Sequence, residues 1–250
     1  MVKHEEIGKR YCQAHGDYMV LSIHGVETGC PACVSERMAS EQLQSAQDFT
    51  AEHLQNRKTA ALTAANIPPR FQDRAFDNYV VQSREQQHAL AVSKRYVEAF
   101  DDCLDKGRCL VLVGKSGTGK THLSCAMASA LAQQGRSVRF IEVYALIDEI
   151  KHEAFHGEGS EHGEIKRYSE DYELLILDEV GAQLGSDWER STLFKIINNR
   201  YKACLPTIMI SNVEHSDFIA YVGDRVYDRL QENGGVTVLF QWDSHRRASK

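Results

Sequence analysis

The sequence predicts an α/β fold in which a parallel sheet carries helices on both faces, with a small module in front of it. Three observations carry this. Short apolar runs such as Cys109–Val113, Glu173–Leu177 and Thr207–Ser211 are near-continuous rather than alternating, as strands buried on both faces require. Stretches of helix-forming composition separate them. The 250 residues, 42% apolar and 26% charged, suffice for one ordinary α/β domain plus an appendage. This balance excludes a disordered, collagen-like or membrane-embedded chain. No run approaches the roughly 18 apolar residues of a membrane span.

Taken in order, residues 1–34 are short, glycine-punctuated and cysteine-bearing. Residues 35–65 hold no Gly or Pro and are rich in Ala, Gln, Glu and Leu, which predicts one helix or a broken pair. Its thin apolar content suits a connector or a surface that lies on a partner. Ile67-Pro68-Pro69 stops it, giving expected divisions at 1–34, 35–66 and 67–250. A helix over Gln86–Cys103 then precedes the strand Cys109–Val113. A glycine loop leads to a helix from Lys120 to about Gln134. The strand Ser137–Val143, a helix over Tyr144–Phe155, a polar stretch Gly157–Ser169 and the strand Glu173–Leu177 follow. After them come a helix around Trp188–Tyr201, the strand Thr207–Ser211, two short helical pieces and a last strand Val236–Gln241. The polar, acidic start Met1–Glu6 is unlike a signal peptide, so a reducing, cytoplasmic setting is expected. A net charge of -6 provides no global attraction to nucleic acid, so any such contact must be local.

Gly114-Lys115-Ser116-Gly117-Thr118-Gly119-Lys120-Thr121 fits G-x-x-x-x-G-K-[ST] at every fixed position. Glycines let backbone N–H groups turn around a phosphate, and the next helix aims its positive end at the same anion. Lys120 reaches the β- and γ-phosphates and Thr121 offers a hydroxyl to Mg²⁺. The strand ending in Asp178-Glu179 supplies the partner element: Asp178 for Mg²⁺ and Glu179 to polarise the attacking water. Thr207–Asn212 is a third buried strand with a polar end, placed beside the P-loop strand, where Asn212 can bond the γ-phosphate or the water. Arg225 and Arg229 lie four apart on one helix face. A guanidinium suits a γ-phosphate, and the alternative is a local ion pair with Asp224 or Asp228.

Three of the seven cysteines fall in the first 33 residues. Cys12-x-x-His15 and Cys30-x-x-Cys33 form two short-turn pairs whose three thiolates and one imidazole suit tetrahedral Zn²⁺ in a closed, structural site. His24 is an alternative to His15 with poorer spacing. A segment this small has little core, so metal supplies its folding energy.

Together the motifs resemble the DnaC/DnaI helicase-loader group of AAA+ ATPases, with the IstB transposition helper as a close relative. The likeness covers about residues 67–247. It rests on Ile67-Pro68-Pro69-Arg70-Phe71 with Phe76-Asp77-Asn78-Tyr79, the P-loop followed by His122-Leu123, and Asp178-Glu179-Val180-Gly181. Pro206-Thr207 before Ser211-Asn212, Gly223–Arg229, and Trp242-Asp243-Ser244-His245-Arg246 complete it, the last resembling the DnaC branch. The resemblance implies an AAA+ core of five parallel strands that binds ATP with Mg²⁺ through Gly114–His122 and self-associates on ATP. It further implies single-stranded DNA binding and delivery of a DnaB-type replicative helicase hexamer. Arg229 becomes a finger acting in trans, and Arg225 its neighbour. The Cys/His module is similar to the zinc-binding N-terminal region of DnaI, which engages the helicase, and has no counterpart in DnaC. The group also carries an extra helix before Asp178 that faces DNA. Here that region holds Lys151, Phe155, Lys166 and Arg167, and Ser186-Asp187-Trp188 follows Asp178-Glu179 in a polar stretch; Phe155 and Trp188 are the candidates for base stacking, with Lys151 and Ser186 for phosphates. An IstB-like ATPase acting on duplex DNA is the competing expectation; the zinc module and the Trp242–Arg246 ending speak against it.

Overall fold

The computed structural model describes residues 4–156, 160–182 and 186–244. Contacts divide the chain into two compact units between Arg57 and Lys58.

The first unit opens with an antiparallel hairpin that sequence reasoning left as an irregular module. β1 (His4–Cys12) pairs with β2 (Gly16–Ile23) in a register that sets Cys12 opposite Gly16, and β3 (Val26–Glu27) adds to β2. The strands were hidden because their side chains are mostly polar and exposed, with only Val20 fully buried, so no apolar alternation marks them. A single helix α1 (Pro31–Ala64) follows, beginning four residues before the expected start. Pro31 suits a first helical position, since its missing N–H has no helical partner there. The Val34 N–H donates to the Cys30 carbonyl 3.0 Å away, so Cys30 stands at the cap. Leu21 N–H donates to the Thr28 hydroxyl at 2.9 Å and Thr28 N–H to the Leu21 carbonyl at 2.8 Å, which fastens the sheet to the segment entering the helix.

The second unit is built on five parallel strands in the order β5-β6-β7-β4-β8: β4 (Leu110–Gly114), β5 (Val138–Glu142), β6 (Leu174–Asp178), β7 (Thr207–Ser211) and β8 (Val236–Phe240). Alternate side chains point to opposite faces. Leu110, Leu112, Ile176, Ile208, Ile210 and Phe140 join one core with α2 (Arg84–Glu98), α3 (Phe100–Asp105) and α4 (Lys120–Gln133). Val111, Val113, Leu175, Leu177, Met209 and Ile141 join the other. That face is covered by α5 (Val143–His156), α6 (Glu161–Glu170), α7 (Asp187–Lys202), α8 (His215–Val222) and α9 (Asp224–Gln231).

Three expectations are corrected or refined. The helix expected over Gln86–Cys103 is two helices that break at Ala99, where φ is -103° and ψ 24°. The polar stretch Gly157–Ser169 contains a helix, in the region where the resemblance implied one: Ser160 caps α6, accepting from the Gly163 N–H at 3.0 Å, and Ile165 and Tyr168 are buried. Residues 157–159 lie outside the described residues. The last strand stops at Phe240. The end of α1 and the residues that follow it pack on the sheet as well. Leu62, Ala65 and Ile67 are buried in the first core, while Phe140 N–H donates to the Ala65 carbonyl at 2.8 Å and Asn66 Nδ2 to the Phe140 carbonyl at 3.1 Å. The outer edge of β5 is thereby covered.

Candidate functional site

The P-loop leaves β4 at Gly114, where φ is +139° and a Cβ would lie 2.2 Å from the Phe240 carbonyl oxygen of β8. Only glycine fits that close approach. Gly119, at φ +100°, begins α4, and a Cβ there would meet the Tyr79 ring at 2.7 Å. Thr118 Oγ1 donates to the Lys115 carbonyl at 2.7 Å, tightening the loop. Lys120 is buried and folded back, its Nζ donating to the Gly114 carbonyl at 2.6 Å and the Lys115 carbonyl at 2.7 Å. Burial lowers its pKa to about 8, against the pull of Asp178 and Glu179.

Asp178 ends β6 and is 4% exposed. Its Oδ2 accepts from Thr121 Oγ1 at 3.1 Å and its Oδ1 from the Glu179 N–H at 2.8 Å. Burial raises its pKa to about 6, helped by the Glu179 and Glu142 carboxylates and opposed by those two hydrogen bonds. Thr121 and Asp178 thus bracket one position where a Mg²⁺ ion would replace their mutual hydrogen bond. Glu179 sits at φ +58°, a conformation that costs a non-glycine residue of order 1 kcal/mol. It is held there from both sides: Val180 N–H donates to the Ile210 carbonyl at 2.9 Å, and Ser211 Oγ to the Val180 carbonyl at 2.5 Å. Asn212 Nδ2 donates to Glu179 Oε2 at 2.7 Å. Lys120, Thr121, Asp178, Glu179 and Asn212 therefore meet at the carboxyl ends of three adjacent strands, the usual ligand position in open parallel sheets.

A cavity of about 300 Å³ runs from Ser116–His122, Glu179 and Asn212 to a wall of Phe71, Arg74, Asn78, Tyr79, Val80, Gln86 and Trp242. Trp242 Nε1 donates to the Thr118 carbonyl at 3.0 Å, and Tyr79 OH to the same oxygen at 3.5 Å. Burial raises the Tyr79 pKa to about 12, so it stays a neutral donor. Sequence reasoning used Phe71, Tyr79 and Trp242 as signature positions but assigned them no part in the site. The signal available was three aromatic residues in motifs that lie on either side of the P-loop in the sequence. His122 lines the cavity, but its ring turns away to the Ala75 carbonyl at 2.9 Å and packs edge-on against Tyr79.

Arg225 and Arg229 do not line this cavity. Arg225 is exposed on α9, whereas Arg229 stacks over Phe194 and Tyr201, 5.8 and 5.2 Å from the ring centres. Its Nη1 is buried with no hydrogen-bond partner among the described residues. Of the four nucleic-acid candidates, three come together at the start of α7. Lys151 Nζ bonds Glu189 Oε1 at 2.8 Å and lies 5.5 Å from the Trp188 ring centre, while Ser186 caps the helix, accepting from Glu189 N–H at 3.3 Å. Each therefore has a local structural partner. The Phe155 side chain lies outside the described residues.

In the first unit, Cys12, His15, Cys30 and Cys33 place one ligand atom each within 4.8 Å of all the others. Cys12 and Cys33 sulfurs are 3.5 Å apart, and His15 Nδ1 lies 3.8, 3.7 and 3.3 Å from the sulfurs of Cys12, Cys30 and Cys33. Bonds of about 2.3 Å to sulfur and 2.0 Å to nitrogen at tetrahedral angles give ligand–ligand edges of roughly 3.5–3.8 Å. The donor set and its spacing fit a tetrahedral soft cation. Cys30 and Cys33 come from the cap and first turn of α1, Cys12 and His15 from the hairpin turn. His24, at φ +52° in the following turn, is not part of the set.

The fold and the phosphate site define an ATP-binding P-loop protein of the AAA+ class. The profile of the "IstB-like ATP binding protein" family matches residues 36–246. The replicative helicase loader DnaC of Escherichia coli K12 is 32% identical over 182 residues, 73% of each chain. The DnaC of Buchnera aphidicola from Acyrthosiphon pisum is 29% identical over 207 residues, 82% of each. The crystal structure of the DnaC helicase loader superposes with a TM-score of 0.61 at 26% identity, over 70% of this chain and all of that one. The chain belongs to the IstB-like ATP-binding family, in its DnaC-type branch.

Proposed function

We propose that the protein is an ATP-hydrolysing loader that places a hexameric replicative helicase of the DnaB type on single-stranded DNA. The observation that carries this is the assembled set of Lys120, Thr121, Asp178, Glu179 and Asn212 in a chain similar over most of its length to DnaC loaders. Lys120 leaves the Gly114 and Lys115 carbonyls to meet the β- and γ-phosphates. Thr121 and Asp178 hold Mg²⁺, which neutralises charge on the phosphates. Glu179, passed between Asn212 and water, orients the attacking water, while Asn212 turns to the γ-phosphate. Tyr79 and Trp242 brace the P-loop beside the base. The missing cation at the γ-phosphate comes from Arg229 of a neighbouring copy, with Arg225 beside it, so hydrolysis depends on self-association. Cys12, His15, Cys30 and Cys33 hold a structural Zn²⁺ that joins hairpin to helix in the module meant for the helicase. Lys151, Trp188, Ser186 and Phe155 remain the DNA contacts, a role for which Lys151 must exchange Glu189 for a phosphate.

The test is size-exclusion chromatography with light scattering on the protein mixed with its host's replicative helicase, with and without ATP. A parallel run uses a chain lacking residues 1–57, because Leu62, Ala65 and Ile67 belong to the ATPase core and must stay. A complex that forms with the full chain and is lost on truncation supports the loader reading. The name of the family profile favours a second reading, a transposition helper acting on duplex DNA. Failure to bind the helicase together with a preference for duplex over single strands would establish it instead.

A further inference from the structure

The cation cluster is completed by a residue outside the four ligands. His15 presents Nδ1 to the three sulfurs and Nε2 to Glu36, whose Oε1 lies 3.0 Å away. Glu36 stands one turn after Cys33 on α1, and residues three apart share a helix face. One face of the first two turns of α1 thus offers a ligand to the cation and a carboxylate to the ligand on the hairpin. Among the described residues no other side chain bonds Nε2, and Glu36 stands outside the Arg37–Glu41 ion pair next to it.

We infer that Glu36 is a positioning residue for the metal: it accepts the hydrogen bond of Nε2–H, fixes His15 as the tautomer protonated at Nε2 and turns the Nδ1 lone pair toward the position between the sulfurs. This rests on the reading of the four residues as a Zn²⁺ site. An imidazole free to rotate or to exchange tautomers loses binding free energy on each account, and outer partners of metal-bound histidines are worth 10–100-fold in affinity. The same hydrogen bond makes α1 a participant in the site twice over, so metal binding fixes the rotation of the helix about its axis as well as its distance from the hairpin.

The experiment uses the full chain, with Zn²⁺ affinity measured by competition with a chromophoric chelator and Co²⁺ absorption as a report on the ligand set. Glu36→Ala is expected to weaken Zn²⁺ by about 10–100-fold while leaving the tetrahedral Co²⁺ spectrum in shape. Glu36→Gln, which keeps an acceptor, recovers part of the loss. Glu41→Ala, which removes an equal charge farther along α1, changes nothing. Nitrogen NMR of the Zn²⁺ form should show His15 bound through Nδ1 with a protonated Nε2, the latter exchanging faster in Glu36→Ala. Wild-type affinity in Glu36→Ala, or an equal loss in Glu41→Ala, overturns the role of Glu36. A wild-type chain that binds neither metal stoichiometrically overturns the site itself, and with it the premise.

Discussion

At the scale of single residues, the phosphate site stores its cost in Asp178. Its carboxyl is raised to about 6, above the ordinary carboxylate value of 3.8, mainly by burial. A raised acid favours the protonated folded state, so the charge costs stability in full above pH 6. The cost shrinks as pH falls and is gone below about 4. A two-unit gap corresponds to about 3 kcal/mol. Without Mg²⁺, Asp178→Asn should therefore melt higher than the wild type at pH 8 by an amount equal to about 1–3 kcal/mol, some being lost with a weaker bond to Thr121. The gap should close toward pH 4–5; a gap independent of pH would reject burial as the cause. Mg²⁺-dependent ATP affinity runs the other way, falling as pH drops through 6 and protons compete for the same oxygen. Glu179→Gln keeps the hydrogen-bonding length to Asn212 but not the charge. It should bind ATP like the wild type with turnover lowered by at least 10²-fold, in the range general-base removal produces; rapid turnover would reject its role. Gly114–Thr121 was legible in the sequence because phosphate binding fixes types and spacing within eight positions, and Asp178 and Glu179 because they end a continuous apolar strand. Tyr79 and Trp242 were not, since their part depends on meeting at the Thr118 carbonyl from opposite sides of it, 39 and 124 residues away in sequence.

At the scale of elements, one side chain joins what the sheet does not. Arg200 in the last turn of α7 is fully buried. It donates to the carbonyls of Tyr168, Tyr172, Glu173 and Pro206 and to the Thr207 hydroxyl, at distances from 2.7 to 3.3 Å. It ties the end of α6 and the entries to β6 and β7, so the strands that carry Asp178 and Asn212 are registered at their far ends. Burial among neutral acceptors draws its pKa down to about 10, so it remains charged at neutral pH. Lysine has three donors on a compact head and cannot span this set. Arg200→Lys and Arg200→Met should each cost about 3–5 kcal/mol, the range for disrupting a buried charged network, measured by urea unfolding; a loss below ~1 kcal/mol would mean the carbonyls find other donors. Nothing in the sequence marks Arg200, because a lone Arg near a helix end normally reads as a favourable charge on the dipole. The same limit hid the hairpin: its order comes from cross-strand pairs and a tight turn, whereas the five buried strands announced themselves by apolar content alone.

At the scale of the whole molecule, the chain joins two units stabilised by different means. The second has two layers of core around a five-stranded sheet. The first has, among the described residues, two mostly exposed strands with a two-residue third, a helix exposed along most of its length and few buried side chains, among them Val20 and Cys30. By area alone such a unit falls short of the conformational entropy it must overcome, so its order should depend on the cation its four ligands hold. Thermal unfolding should accordingly resolve into two transitions with separate ligand dependence. A metal chelator should abolish the first unit's transition and the hairpin's amide protection, yet leave ATP binding unchanged. ATP with Mg²⁺ should raise only the second transition, by about 2.7 kcal/mol at a hundredfold excess over Kd. Calorimetry with and without each ligand measures both. Co-migration of the transitions under either ligand would mean that α1, whose last turn sits in the ATPase core through Leu62, transmits stability from one unit to the other. Independent transitions would mean that the two units unfold separately and that α1 alone carries no signal between them. The exposed surface of α1 favours the second outcome: most of the described side chains between Arg37 and Lys58 are exposed, so little tertiary packing couples one end of the helix to the other.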